Sequence, residues 1–305
     1  MSFARHFSRL GLALGLVVSA SLAQAWSDDP LIMEKEKYFK KLESPIIGQF
    51  NVSFAYSDIK QAGSYKDKWR KLDGKSESAM RVNLKGLSDA TMQKVTDAAY
   101  EDFKAKLAAA GVTTENVDIT KDMPKWLDKE YKRHLRDGYP ENESHYEAYG
   151  AVESKTVPFS GSTVLNHKFP HLVGFSAKEL KKDVISVRYL LHFGYLDPSA
   201  SKTENEFMNQ VTMKTSVSFH PGIQVYWRSG AELYKNHKKK GSILINKHVG
   251  APGDFGELKL VEESNWGKSY KEVDIAVDEE AYARLAIDAL SQANTLIVNE
   301  IADLQ

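Results

Sequence analysis

Val184-Ile185-Ser186-Val187-Arg188-Tyr189-Leu190-Leu191-His192-Phe193-Gly194-Tyr195 is apolar at most of its positions and shows no strict alternation. A strand with one solvated face alternates, whereas a strand covered on both faces does not. The stretch predicts a central, doubly buried strand, and so a layered domain with helices on a sheet. On its C-terminal side Val211, Met213, Thr215, Val217 and Phe219 alternate with Thr212, Lys214, Ser216, Ser218 and His220, the period of a half-buried strand. Pro221-Gly222 interrupts the pairing as a bulge or bend, and Ile223, Val225 and Trp227 resume the period. Arg228-Ser229-Gly230 reads as a tight turn, from which Ala231 to Tyr234 starts the returning strand.

Toward the N-terminus, Phe50, Val52, Phe54 and Tyr56 alternate with Asn51, Ser53 and Ser57, and Met80, Val82 and Leu84 repeat the pattern beyond a polar excursion from Lys60 to Ser78. Ser88 can cap a helix whose apolar positions Met92, Val95, Ala99, Phe103, Leu107 and Ala110 step by three and four, with Gly111 as terminator. A second helix follows Asp278 and carries Tyr282, Leu285, Ala286, Ala289, Leu290, Ala293, Leu296, Ile297 and Ile301 on a wide stripe. The fold expected for residues 46–305 is a single α/β (α+β) domain. Its mixed sheet has long C-terminal strands, packed by a helix at about 88–110 and a C-terminal helix at about 279–303. Val112, Val117 and Ile119 suggest a short strand, and Pro124 a helix start leading through Trp126, Leu127, Tyr131 and Leu135 to Gly138.

From Tyr139 to Phe175 no period holds, while aromatic residues accumulate among prolines and glycines. Long irregular segments in compact domains are often functional loops. This aromatic-rich insertion is expected to supply the binding surface, with Tyr146, Tyr149, Phe159, Phe169 and Phe175 as contact residues. The alternative is that the same rings pack on the body of the domain.

Residues 1–25 have the layout of a cleaved secretory signal peptide. Arg5, His6 and Arg9 form a basic start, Leu10 to Val18 an apolar run, and Ala23-Gln24-Ala25 a small-x-small cleavage site. The run is about half the ~20 residues that a membrane span requires. The expected mature chain starts at Trp26, passes through a polar lead-in at 26–45, and is a soluble exported protein, periplasmic in a Gram-negative cell. Lys plus Arg and Asp plus Glu both number 41, so no global field favours nucleic acid. With no cysteine, disulfides, thiolate metal sites and cysteine nucleophiles are excluded.

Motifs for chemistry are absent. There is no Gly-x-Ser-x-Gly elbow and no His-Glu-x-x-His, and Gly250-Ala251-Pro252-Gly253 lacks the lysine and helix of a phosphate loop. His167 and His171 are four apart, but Pro170 lies between them and no carboxylate cluster accompanies them. No metal or cofactor is implied. The run Lys235 to Gly241, with four lysines, reads as a solvated hairpin tip.

The stretch Asp183 to Tyr195, followed by the strand from Val211 to Trp227, the Arg228-Ser229-Gly230 turn and the return strand, resembles the core of the curli-secretion (CsgG-like) family. That module is shared with the TolB amino-terminal domain, and the likeness spans about residues 46–110 and 180–300. The resemblance implies a periplasmic α/β domain that acts by binding and assembly and carries no catalytic motif. The lipid-attachment cysteine of its lipoprotein members is missing here. The expected function is a soluble, non-enzymatic binding or assembly-accessory protein of the cell envelope, acting through a sheet edge and the aromatic segment on an envelope protein. The alternatives are a periplasmic carrier of a small apolar ligand, or a hydrolase with a dispersed Ser/His/carboxylate site.

Overall fold

The computed structural model describes residues 29–42, 44–63, 65–67, 72–74, 77–115, 142–147, 150–160, 171–205, 210–264 and 269–305. The signal-peptide reading, the strand at Val117 and Ile119 and the helix from Pro124 to Gly138 lie outside these residues. The chain runs through β1 (Leu31–Glu34), a 3₁₀ helix (Glu36–Lys41), β2 (Ile46–Ala62), β3 (Tyr65–Asp67), β4 (Leu72–Gly74), β5 (Ser78–Lys85) and helix α1 (Asp89–Ala109). It continues through β6 (Asn142–Glu147), β7 (Gly150–Pro158), α2 (His171–Glu179), β8 (Val184–Asn205), β9 (Gln210–Val225), β10 (Gly230–Lys235) and β11 (Lys238–Ile245). Then follow β12 (Val249–Pro252), β13 (Gly256–Ser264), β14 (Ser269–Val277) and α3 (Glu279–Asp303).

Among the described residues twelve strands form one mixed sheet, with β1-β11-β10-β8-β2-β5-β14-β13 as its main path. The fold class read from the sequence holds. β8 lies at the centre, parallel to β2 and antiparallel to β10, and Ile185, Val187, Tyr189, Leu191 and Phe193 are buried. Its alternate residues Val184, Ser186 and His192 are buried too, as a doubly covered strand requires.

Both long helices form as the apolar spacing predicts. Ser88 Oγ accepts the Thr91 N–H at 3.2 Å, and Asp278 Oδ1 accepts the N–H groups of Glu280 and Ala281, so each helix starts on a side-chain cap. α1 and α3 pack on each other and on one face of the sheet, with Phe103 and Leu290 fully buried. Asn294 joins the layers: its Oδ1 accepts the Tyr189 hydroxyl at 2.7 Å, and its Nδ2 donates to the Ala99 carbonyl and to Asp102. On the other side, α2 contacts β2, β8, β10 and β11. There Ile46, Val184 and Tyr234, mutual neighbours across β2, β8 and β10, lie outside the main core cluster.

Three sequence expectations are corrected. Residues 139–175 are not irregular where described: β6 and β7 form an antiparallel hairpin, β7 pairs with β2, and α2 begins at His171. The period is invisible because β7 buries Ser154 as deeply as Val152, so its inward residues are not all apolar. Second, β8 runs on through Asp197-Pro198-Ser199-Ala200-Ser201, poor strand formers that β9 holds in register from Leu196↔Phe219 to Asn205↔Gln210. Gly194 sits at a register shift at the root of this arm and admits the close approach of the Phe219 ring, which a Cβ there would meet at 2.3 Å. Third, Trp227 is not a strand residue; β9 ends at Val225.

The lysine run forms an exposed hairpin tip, as expected. Asn236 and His237, both at positive φ, make the two-residue turn between β10 and β11. Around it Lys235 pairs with Asp183, Lys239 with Glu232, and Lys240 lies over the Tyr38 ring. Burial pushes the Glu232 carboxyl up, but Arg188 at 3.0 Å, Lys239 at 2.8 Å and the Tyr234 hydroxyl at 2.7 Å outweigh it, leaving the group below its ordinary value of 4.5. A depressed carboxylate stabilises the fold above its unfolded value, and that stabilisation is lost as pH falls through the folded value. The Glu232→Gln variant is therefore expected to be less stable than wild type at neutral pH, with the gap closing below 4.5 in thermal melts across pH.

Candidate functional site

Two features stand out once the apolar core is accounted for. The first begins at a junction inside the sheet. β2 pairs with β8 as far as Phe54↔Leu191, and from Ser57 onward it pairs with β5 instead. Asp58 is the cross-strand neighbour of Val82 on one side and Val152 on the other, both fully buried. Its Oδ2 lies 3.3 Å from His192 Nε2, with both side chains 2% exposed. The Gly194 N–H approaches His192 Nδ1 at 3.3 Å, which makes Nδ1 an acceptor and assigns the imidazole proton to Nε2, facing the carboxylate. Neither Asp58 Oδ1 nor His192 Nε2 makes a hydrogen bond, so the two side chains face each other at close approach only. A general base needs a nitrogen that a substrate can reach. With one nitrogen facing Asp58 and the other Gly194, His192 is enclosed between β8 and β2 and offers no nitrogen to a substrate.

From His192 a column of rings leads outward. The His192 and Tyr226 rings are 5.4 Å apart and stacked, and the Tyr226 ring lies 4.3 Å from that of the exposed His248. Tyr226 opens the turn between β9 and β10, which the backbone fixes closely. The Tyr226 N–H donates to the Leu190 carbonyl, the Arg228 N–H to the Ile245 carbonyl, and the Ile245 N–H to the Ser229 carbonyl. Ser229 Oγ accepts the Leu190 N–H at 2.9 Å. Arg228 sits at φ 64°, in the left-handed region that non-glycine residues seldom occupy. The result is that Trp227, 39% exposed, and Arg228 project from a fixed frame, the guanidinium 4.4 Å from the Trp227 ring centre. Such a pair is a cation–π contact, held at the surface.

The second feature is β13 at the end of the sheet's main path. Leu258, Leu260 and Val261 are 50%, 53% and 54% exposed, a concentration of apolar side chains on an edge strand.

Of the aromatic residues singled out in the sequence, Phe159 and Phe175 have described side chains. Phe159 stacks on Tyr100 of α1 at 4.1 Å and is a packing residue. Phe175 is half-buried in α2, with its ring 6.5 Å from that of His237. Tyr146 falls in β6, though its side chain is outside the described set, and Tyr149 and Phe169 lie outside the described residues altogether. His167 is outside as well, and among the described residues no group of three or more His, Asp and Glu side chains is placed to hold a metal. Tyr226, Trp227, Arg228 and His248 were missed because Trp227 fits the strand period of Ile223 and Val225. The alternation Leu258-Lys259-Leu260 was the available signal for the edge.

Comparison with protein-family models, curated proteins and solved structures finds no match to this chain. Among the described residues no helix is long and apolar enough to cross a membrane.

Proposed function

We propose that this chain is an exported, non-enzymatic binding or assembly-accessory protein of the cell envelope, which holds a partner protein through the Tyr226-Trp227-Arg228 turn. The observation that carries the reading is the rigid display of Trp227 and Arg228. Tryptophan, tyrosine and arginine dominate the energetics of protein interfaces, and a frame fixed before binding reduces the ordering cost of association. Here backbone hydrogen bonds on both sides of the turn supply that frame, and the enclosed His192 ring stacks on Tyr226 beneath it. The pattern of residues 1–25 supports export to the periplasm. The resemblance of residues 183–234 to the curli-secretion core supports a role in binding and assembly.

The test is the double variant Trp227→Ala/Arg228→Ala. Binding to the partner that the wild-type chain retains from an envelope extract is expected to weaken at least 30-fold or so, the scale of losing an interface hot spot. Its unfolding free energy is expected to stay within about 1 kcal/mol of wild type, because both side chains project from the surface. Unchanged binding overturns the proposal.

A further inference from the structure

Edge strands present unpaired backbone groups, and natural proteins protect them with charges, bulges or covering elements. β13 has a bulge, but only in its second half. Gly256 to Leu260 pair in unbroken register with Val277 to Val273 of β14, and the irregularity falls between Leu260 and Glu262. No strand pairs with the outer edge of β13 among the described residues. Leu258 and Leu260 lie across from Ile275 and Val273, and so extend the apolar, helix-bearing side of the sheet beyond its cover. Glu257 and Lys259, across from Ala276 and Asp274, point to the other side.

We propose that this edge pairs with the same edge of a second copy, antiparallel about a twofold axis passing beside Leu258. The bulge restricts regular pairing to the segment from Gly256 to Leu260, and Leu258 is its midpoint. Centring the axis there places Leu258 against its own counterpart and Gly256 against Leu260 of the partner subunit. It also places Glu257 against Lys259 of the partner subunit, twice over, so both charges meet an opposite charge. Opposite charges directly across a strand pair stabilise it and like charges oppose it. Moving the axis to Lys259 would set that lysine against itself and carry Glu257 into the bulge. Moving it to Leu260 would set Leu258 against Glu262. The charges and the bulge select the same register, and both subunits contribute the same patch, as a closed twofold contact requires.

A contact of this length is small, so the dimer exchanges with monomer. Sedimentation equilibrium on the chain, up to about 1 mM to capture associations as weak as a millimolar Kd, is expected to show the mass rising from one chain toward two. Glu257→Lys and Lys259→Glu, each alone, are expected to weaken association about tenfold or more, because each puts like charges opposite each other. The double variant Glu257→Lys/Lys259→Glu restores both pairs and is expected to recover association to near the wild-type value. The Trp227→Ala/Arg228→Ala chain should dimerise as wild type does, which separates this pairing from partner binding at the turn. A wild-type mass that stays at one chain overturns the pairing and leaves the edge to a strand of another protein. A double variant that remains as weak as the single ones overturns the register.

Discussion

Replacing Phe103 by alanine is expected to destabilise the protein by about 3–5 kcal/mol, the range for removing a large aromatic side chain from a packed core. Phe103 is fully buried on the inner face of α1, and its ring lies 5.8 Å from that of Phe50 on β2. Phe50 in turn meets Tyr100 of α1 and Tyr189 of β8 edge-on at 5.7 Å. The cavity would therefore open at the contact between the helix layer and the two central strands, where neighbours fixed by pairing have little freedom to close it. Denaturant unfolding would read the loss as a shifted midpoint. An unchanged midpoint would mean that α1 presents a different face to the sheet.

Asp58→Ala is expected to cost about 1–3 kcal/mol, for a different reason. Truncating Asp58 leaves the His192 Nε2–H with no acceptor near it in an apolar setting, the penalty of a stranded buried polar group. After the change His192 Nε2 would face Val82 and Val152 in place of a carboxylate. Asp58→Ala combined with His192→Phe removes the stranded group, and is expected to cost clearly less than the sum of the two single changes. Additive losses in that double-mutant cycle would show that the 3.3 Å approach does not couple the two residues.

The parts of this fold that depend on local rules were readable from the chain. Ser88 and Asp278 mark helix starts because capping is a matter of a few neighbouring residues, and the stripes leading to Phe103 and Leu290 follow from helical geometry. The parts set by distant pairing were not. Ser199 and Ala200 lie in a strand because Ser216 and Thr215 stand opposite them, and nothing in Asp197-Pro198-Ser199 announces it. Ser154 is buried by its place on β7 beside β2, against the ordinary preference of serine for the surface. Of the aromatic contacts expected at 139–175, Phe159 lies against α1, stacked on Tyr100. Trp227 follows the period of its strand by one residue too many, so only the turn's hydrogen bonds reveal that it faces outward.

The most direct test of partner binding at the β9–β10 turn is photo-crosslinking from position 227. A photoreactive side chain would replace Trp227 in the full chain and be irradiated in intact cells. One discrete adduct with an envelope protein is expected, and it should disappear when Arg228 is changed to alanine. The same group placed at Leu258 is expected to yield the crosslinked dimer of this chain and not that adduct. No adduct from position 227, or the partner adduct arising only from position 258, would contradict the assignment of the turn as the binding surface.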